Sequence, residues 1–307
     1  SHPGRDPAEL RAADACQTVM SELPAARLEF LRATQNPDGG WGFFPGKKQS
    51  WLEPTAYALI ALHGDPASKQ SFDRGWDLMR SWQLADGSWK PCAAAAEPHW
   101  TTSLCVTLHC LRGVHDRPFE RGVAWLAGVS GTENRLQFRI AHFLRPSVVE
   151  LDPSFKAWPW RPGNASWIEP TAHALVALKK ASRVVPGSEL AERIRLGEKM
   201  ILERRCSDGG WNYGNRKVLG TELPSYPETT ALALLGLAGN PALQLSGPLE
   251  VAQRYFGQTH SPLAKAWLRV SLRSHSIQLA APGAESLEAN DTLIQALEVI
   301  AASGALA

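Results

Sequence analysis

Residues 35–62 read QNPDGGWGFFPGKKQSWLEPTAYALIAL, and this stretch sets the plan of the whole chain. It contains a turn, a loop and a helix, in that order. Gly39 and Gly40 follow Asp38; two adjacent glycines tolerate positive φ, and an aspartate can accept a hydrogen bond from its own turn, so helix stops here and loop begins. Glu53-Pro54-Thr55 reads as a helix start, with an acid over the positive end of the dipole and a proline in the first turn, where no N–H is missed. The apolar run behind it is then one helix.

Degraded copies of the unit recur. A second begins QLADGSW at 83–89 and continues through His99-Trp100-Thr101-Thr102 into SLCVTLHCLRG. The third keeps only aromatics in its turn, Trp158-Pro159-Trp160, yet repeats the helix start nearly letter for letter, WLEPTA at 51–56 becoming WIEPTA at 167–172. A fourth has CSDGGWNYG at 206–214 and YPETTALALL at 226–235, and a fainter fifth start is Asn290-Asp291-Thr292. Aligning Thr55, Thr102, Thr171, Thr230 and Thr292 gives separations of 47, 69, 59 and 62 residues by subtraction of their numbers. Self-similarity of this kind defines a repeat protein.

Between these units the periodicity predicts further helices at 9–34, around Phe72–Trp76 and Phe119–Val123, and near 133–145, 189–205, 248–257, 262–274 and 285–303. That makes about twelve helices, with no convincing alternating strand. Hairpins with turn glycines after one set and acids before the other predict an all-α fold, a single α/α toroid of about six helical hairpins, as in an (α/α)6 barrel. An open solenoid such as a tetratricopeptide array has a period of about 34 residues, much shorter than these separations. Without a long polar linker between repeats, residues 1–307 read as one domain.

Composition narrows the partners. The 32 basic and 30 acidic side chains leave a net charge of +2, which gives no reason to expect nucleic acid and favours a small, apolar ligand. The five cysteines are odd in number and show no CxxC spacing, which argues against a disulfide framework and for a reducing, cytoplasmic setting. No apolar run approaches the roughly 18 residues of a membrane span, so contact with a membrane would be peripheral, at its surface.

The QxxDGGW turn resembles the QW motif of squalene-hopene and oxidosqualene cyclases, and the Glu-x-Thr-Ala helix start resembles the inner helices of that family and of protein prenyltransferase β subunits. The resemblance covers most of the chain and implies a toroid whose central cavity holds a polyprenyl or triterpenoid-like substrate among aromatics that stabilise a carbocation. It also implies that Trp41, Trp89, Trp158 and Trp211 are structural, stacking against helix ends on the outside and tying neighbouring hairpins together. Triterpene cyclases carry two such domains; this chain has the length of one.

The helix starts are the candidate site. Two residues before each aligned threonine stand Glu53, Trp100, Glu169, Glu228 and Asn290, and two residues further back stand Trp51, Trp167 and Tyr226 in the three repeats that keep the acid. Helices starting at one end of a ring would gather these into an acidic, aromatic rim, with Glu53, Glu169 and Glu228 as the catalytic candidates. Trp51, Tyr57, Trp100, Trp167, His173 and Tyr226 are the candidate substrate contacts. Lys47, Lys48, Arg216 and Lys217, on loops leading to the same rim, are candidates for a diphosphate or other anionic head group, with Lys90 and Arg161 on equivalent loops. The plain alternative for each glutamate is a helix-dipole partner worth about 0.3–1 kcal/mol.

The resemblance places the alkene-protonating acid of triterpene cyclases at this kind of position, but their Asp-x-Asp-Asp cluster is absent here, as is DDxxD. A glutamate beside a helix N-terminus is biased towards its ionised form, so the expected role is base or cation stabiliser rather than acid. Zinc-dependent prenyl transfer is a further alternative: Cys105 and His109 lie one helical turn apart, but no Asp-x-Cys precedes them, so the expectation is core packing, with no metal and no cofactor. There is no GxSxG elbow and no GxxxxGK loop. The runner-up from another class is a non-catalytic toroid that binds a lipid or a protein at the same mouth. Polysaccharide cleavage, suggested by DGGW turns in some α/α-barrel lyases, has only the tryptophans to support it.

Overall fold

The glycine turns at 39–40, 87 and 209–210 each follow an outer helix and lead to an inner one. The computed structural model describes residues 24–137, 140, 143, 155–185, 187–218, 220–279 and 290–306. Its helices are α1 (24–33), α2 (Leu52–Leu62), α3 (Lys69–Ser81), α4 (Thr102–Arg112), α5 (Arg117–Gly128), α6 (Ile168–Ala181), α7 (Ser188–Glu203), α8 (Pro227–Leu237), α9 (Ser246–Gln258), α10 (Pro262–Ser274) and α11 (Thr292–Ser303). Among the described residues the only named strands are two-residue pieces, Lys217–Val218 against Thr221–Glu222. The sequence-predicted helix at 9–34 is present from residue 24, the one at 133–145 begins at 136, and the one at 285–303 from Thr292; their remainders lie outside the described residues.

Six helices form the inner layer. They pack in the cyclic order α2, α4, α6, α8, α10, α11 and back to α2, which closes the ring. Their buried faces wrap around them: every residue of α2 but Glu53, for example, is buried. A helix apolar all round belongs in a core. Helices α3, α5, α7 and α9 bury one stripe each and form the outer layer. The periodicity locates α10 but gives it no place in the ring; it lies inside, directly after outer α9.

The aligned threonines share one contact. The backbone N–H groups of Trp41, Trp89, Trp158 and Trp211 donate to Oγ1 of Thr55, Thr102, Thr171 and Thr230 at 2.9, 2.9, 3.1 and 3.0 Å. The four indole N–H groups donate to carbonyls near the end of the preceding outer helix, Leu31, Met79, Leu126 and Ile201. These rings are fully buried between the layers, outside the bore but not on the exterior. Room for them comes from glycines: a Cβ on Gly75, Gly122 or Gly197 would stand 2.9, 2.7 or 2.7 Å from the ring of Trp41, Trp89 or Trp158.

Neighbouring units are stitched at the helix starts. The caps Trp51, Trp167 and Tyr226 make no side-chain capping hydrogen bond. Instead the N–H groups of Leu52 and Ile168 donate to the carbonyls of Pro91 and Tyr213 on the next unit's loop, and Trp100 N–H donates to Trp160. Thr292 N–H donates to Phe43 in the same manner, which joins the last inner helix to the first loop. The seam is reinforced by buried polar bonds from Arg27 on α1 to Gln295 on α11, and from Arg269 on α10 to Glu298 on α11.

Candidate functional site

Because the inner helices all begin at one end of the ring, their first turns define its mouth. Glu53 and Glu169 stand in the first turns of α2 and α6, half-buried. Burial raises the Glu169 carboxyl to about 8, helped by the charge of Glu53. Burial raises Glu53 to about 7, helped by Asp291, the cap of α11. This corrects the helix-dipole expectation. Loss of hydration and the neighbouring carboxylates disfavour the anion, so both groups titrate close to neutral pH. Glu228 is also half-buried and accepts a hydrogen bond from Ser261 Oγ at 3.3 Å. Tyr213 lies under the electrostatic influence of both Glu228 and Glu169, which places the third carboxyl on the same mouth.

One helical turn below the acids the bore is closed by rings. Tyr57 follows Glu53 by four residues and His173 follows Glu169 by four, so each pair shares a helix face. Tyr57 Oη and His173 Nε2 share a hydrogen bond of 3.1 Å. Trp267 of α10 completes the group, its ring centroid 5.6 Å from Tyr57 and 5.7 Å from His173. Helices α2, α6 and α10 alternate around the six-membered ring, so three-way contact at the axis is the geometry expected of long side chains. All three are buried. Burial keeps His173 neutral, with its pKa down at about 3, and drives the Tyr57 phenol well above its usual value, with Glu53 and Glu169 adding to the effect. Trp100 lies 4.9 Å from the His173 ring and makes an edge contact with Trp160 at 5.5 Å.

The candidate contacts therefore divide. Tyr57, Trp100 and His173 form the floor, whereas Trp51 is half-buried beside Phe43, and Trp167 and Tyr226 are exposed on the rim. Tyr226 packs against Tyr213 at 5.5 Å, and Gly214 lies close over Trp167. The candidate head-group cations do not form one cluster. Lys47 and Lys48 are exposed on the loop leading to α2, and the exposed Arg216 and half-buried Lys217 stand on the loop leading to α8, opposite α2 in the ring. Arg161 makes a long ion pair with Glu97 at 3.5 Å, beside a recess of about 680 Å³ bounded by Trp160 and His99. His99 is held near 4 by burial and the Arg161 charge.

Cys105 and His109 pack in the core: His109 Nδ1–H donates to the Cys105 carbonyl at 2.8 Å, and its ring lies between Trp76 and Trp89. Among the described residues no three His, Cys, Asp or Glu side chains are grouped to hold a metal. No described helix is long and apolar enough to cross a membrane. The repeat register does not reveal Trp267, Tyr213, Ser261 or Asp291 as members of the mouth. Asp291 had a signal, since it directly precedes an aligned threonine; Trp267 lies on a helix with no glycine turn and no rim triplet before it.

No protein-family profile matches the chain. It is 24% identical over 258 residues to a drimenyl diphosphate synthase of Streptomyces showdoensis, covering 82% of this chain and 42% of the relative. A drimenyl diphosphate synthase of Streptantibioticus cattleyicolor is 28% identical over 223 residues, covering 70% and 37%. The chain thus spans about two fifths of the curated relatives' length. Among solved structures, a variant of the type II terpene cyclase MstE from Scytonema, in complex with its product merosterolic acid A, superposes with a TM-score of 0.55 at 17% identity over 94% of this chain and 81% of that one. The fold is an all-α toroid, as in that structure. It also superposes on an endoglucanase of Klebsiella pneumoniae, a family 8 glycosyl hydrolase, with a TM-score of 0.58 at 13% identity over 91% and 98% of the two chains. Fold alone therefore separates neither chemistry from the other.

Proposed function

We propose that this protein processes isoprenoids as a terpene cyclase does, taking an apolar polyprenyl chain at the mouth of the ring and opening a carbocation on it by proton transfer. The observation that carries the reading is the pair Glu53 and Glu169, two half-buried carboxyls raised to about 7 and about 8 over an aromatic floor. Sequence similarity to two drimenyl diphosphate synthases supports the substrate class.

The two acids suit different roles. Glu169, with the higher pKa, holds its proton at pH 7 and is the donor; Glu53 titrates near 7 and is the anion that stabilises the cation. In the step itself the Glu169 O–H bond breaks, a C–H bond forms at a terminal alkene carbon, and the adjacent carbon becomes cationic. The next double bond of the same chain attacks that carbon, a proton lost from a neighbouring carbon to water ends the sequence as an alkene, and Glu169 regains its proton from solvent. Trp51 and Trp167 offer ring faces to the cation. A carbon–oxygen bond to a diphosphate is untouched, so a head group survives the cycle.

The test is conversion of polyprenyl diphosphates, squalene and oxidosqualene by the wild type and by Glu169→Gln, with thermal melts as a folding control. Turnover should fall by at least 10³-fold, in line with the typical worth of a general acid together with its charge. Turnover unchanged in Glu169→Gln and Glu53→Gln would remove both from the mechanism. A second reading, a toroid that binds an apolar ligand without converting it, is favoured by the closed floor of Tyr57, His173 and Trp267, which limits the depth of the chamber. Ligand binding without product by the wild type would select it.

A further inference from the structure

The helix that begins at 136 turns an apolar stripe outward. Leu136, Ile140 and Phe143 are helical and follow one another by four and three residues, so they share one face. In α3, α5, α7 and α9 the apolar stripe is the buried side of the helix. Here the three side chains are 69, 52 and 84% exposed. Large apolar side chains set together in water mark a surface that something covers.

The segment just before the stripe is fixed to the mouth of the ring. The N–H groups of Gly131 and Thr132 donate to the carbonyls of Ala157 and Asn164 at 2.9 and 3.0 Å. Glu133, fully buried, accepts from the Ser166 N–H at 3.1 Å and from the Ser166 hydroxyl, and pairs with Arg204 at 3.9 Å. Ser166 directly precedes Trp167, the cap of α6, whose first turn carries Glu169. The stripe therefore leaves the body of the protein beside the rim, where Trp167, Tyr213 and Tyr226 are exposed as well.

Charge decides what covers it. Glu133 is turned inward, and from Arg135 to Val149 the sequence holds Arg135, Arg139, His142 and Arg145 and no acid. Arg135 is exposed and makes no ion pair among the described residues. A second copy seated stripe to stripe would set arginine against arginine, which disfavours that pairing. An anionic lipid surface accepts both halves of the pattern, with head groups for the cations and acyl chains for the apolar side chains.

We propose that this helix docks the protein on an anionic lipid surface, with Leu136, Ile140 and Phe143 in the acyl boundary and Arg135 among the head groups. Docking does not rest on the proton-transfer reading of the mouth; it would bring the rim close to a reservoir of apolar chains.

The experiment is co-sedimentation of the full chain with vesicles of phosphatidylcholine alone and of phosphatidylcholine mixed with phosphatidylglycerol. Binding is expected to the mixed vesicles, weaker to the neutral ones and weaker as salt is raised. Leu136→Ser, Ile140→Ser and Phe143→Ser together should reduce it at least tenfold, with the melting temperature unchanged because all three positions are exposed. Arg135→Glu should weaken binding to the mixed vesicles and leave the neutral ones as they were. Glu169→Gln should sediment as the wild type does. A wild type that stays in the supernatant with mixed vesicles would overturn the proposal, as would a triple variant that binds as the wild type does. Light scattering that shows a wild-type dimer and a monomeric triple variant would overturn it too, by assigning the stripe to a second copy. Failure here leaves the reading of the mouth intact, because these substitutions touch neither Glu53, Glu169 nor the aromatic floor.

Discussion

At the scale of single residues, the acids at the mouth make the protein pH-sensitive in a defined direction. The Glu169 and Glu53 pKa values are raised on folding, to about 8 and about 7, so the folded state binds these protons more tightly than the unfolded chain. Their contribution is complete below the unfolded glutamate pKa near 4.3 and is lost as pH rises through about 7 and 8. Glu169→Gln should therefore melt higher than the wild type at pH 9, by an amount equivalent to about 5 kcal/mol, and close to it at pH 4. Calorimetric scans at the two pH values test this; an equal difference at both would show that Glu169 does not titrate in this range. For catalysis, kcat/KM should fall above about pH 8 as Glu169 ionises and below about pH 7 as Glu53 gains its proton. A profile flat from pH 5 to 9 contradicts the assignment of donor and stabiliser. Tyr57→Phe strands the neutral His173 ring without its 3.1 Å partner, and should cost about 1–3 kcal/mol in urea unfolding.

At the scale of elements, stability is concentrated where turn, inner helix and outer helix meet. Each meeting point uses a backbone N–H from tryptophan, a threonine hydroxyl at the helix start and, in three units, a glycine under the indole. Gly122→Ala would set a methyl 2.7 Å from Trp89 with Val106 at 3.0 Å behind it, so neither side can yield cheaply. Overpacking of this kind should cost about 1–3 kcal/mol. Gly128→Ala, a glycine in the same outer helix with open space around its Cβ position, is the matched control and should be neutral or stabilising. Equal effects of the two substitutions would mean that helix propensity, not the fit against Trp89, governs this helix.

At the scale of the molecule, the ring depends on its seam. Inner helices α11 and α2 are neighbours although far apart in sequence, and they are joined by Thr292 N–H to the Phe43 carbonyl and by the Arg27 bond to Gln295. Arg27→Met keeps the apolar stem and removes the charge-assisted bond. Hydrogen exchange should then speed up in α1 and α11 first, while α6 and α8, across the ring, stay protected. Uniform loss of protection around the ring would show one cooperative unit with no weak seam.

The sequence by itself determined the repeat, the all-α class and the register of the mouth. Those are local quantities: a glycine pair, an acid with a proline behind it and an apolar run need only neighbours along the chain. The aligned threonines show how much the register carried, since four of the five receive the same tryptophan N–H. Tertiary structure decided the state of the acids and the packing of Tyr57, His173 and Trp267 at the axis. Residue spacing near a helix start argues for an ionised Glu169, because the dipole is a property of one helix; the raised pKa comes from burial by other helices and from Glu53, which lies 116 residues earlier by subtraction. Trp267 likewise meets Tyr57 and His173 only because α2, α6 and α10 alternate around a closed ring. Closure brings distant segments together at the axis, and no pattern along the chain records which side chains arrive there.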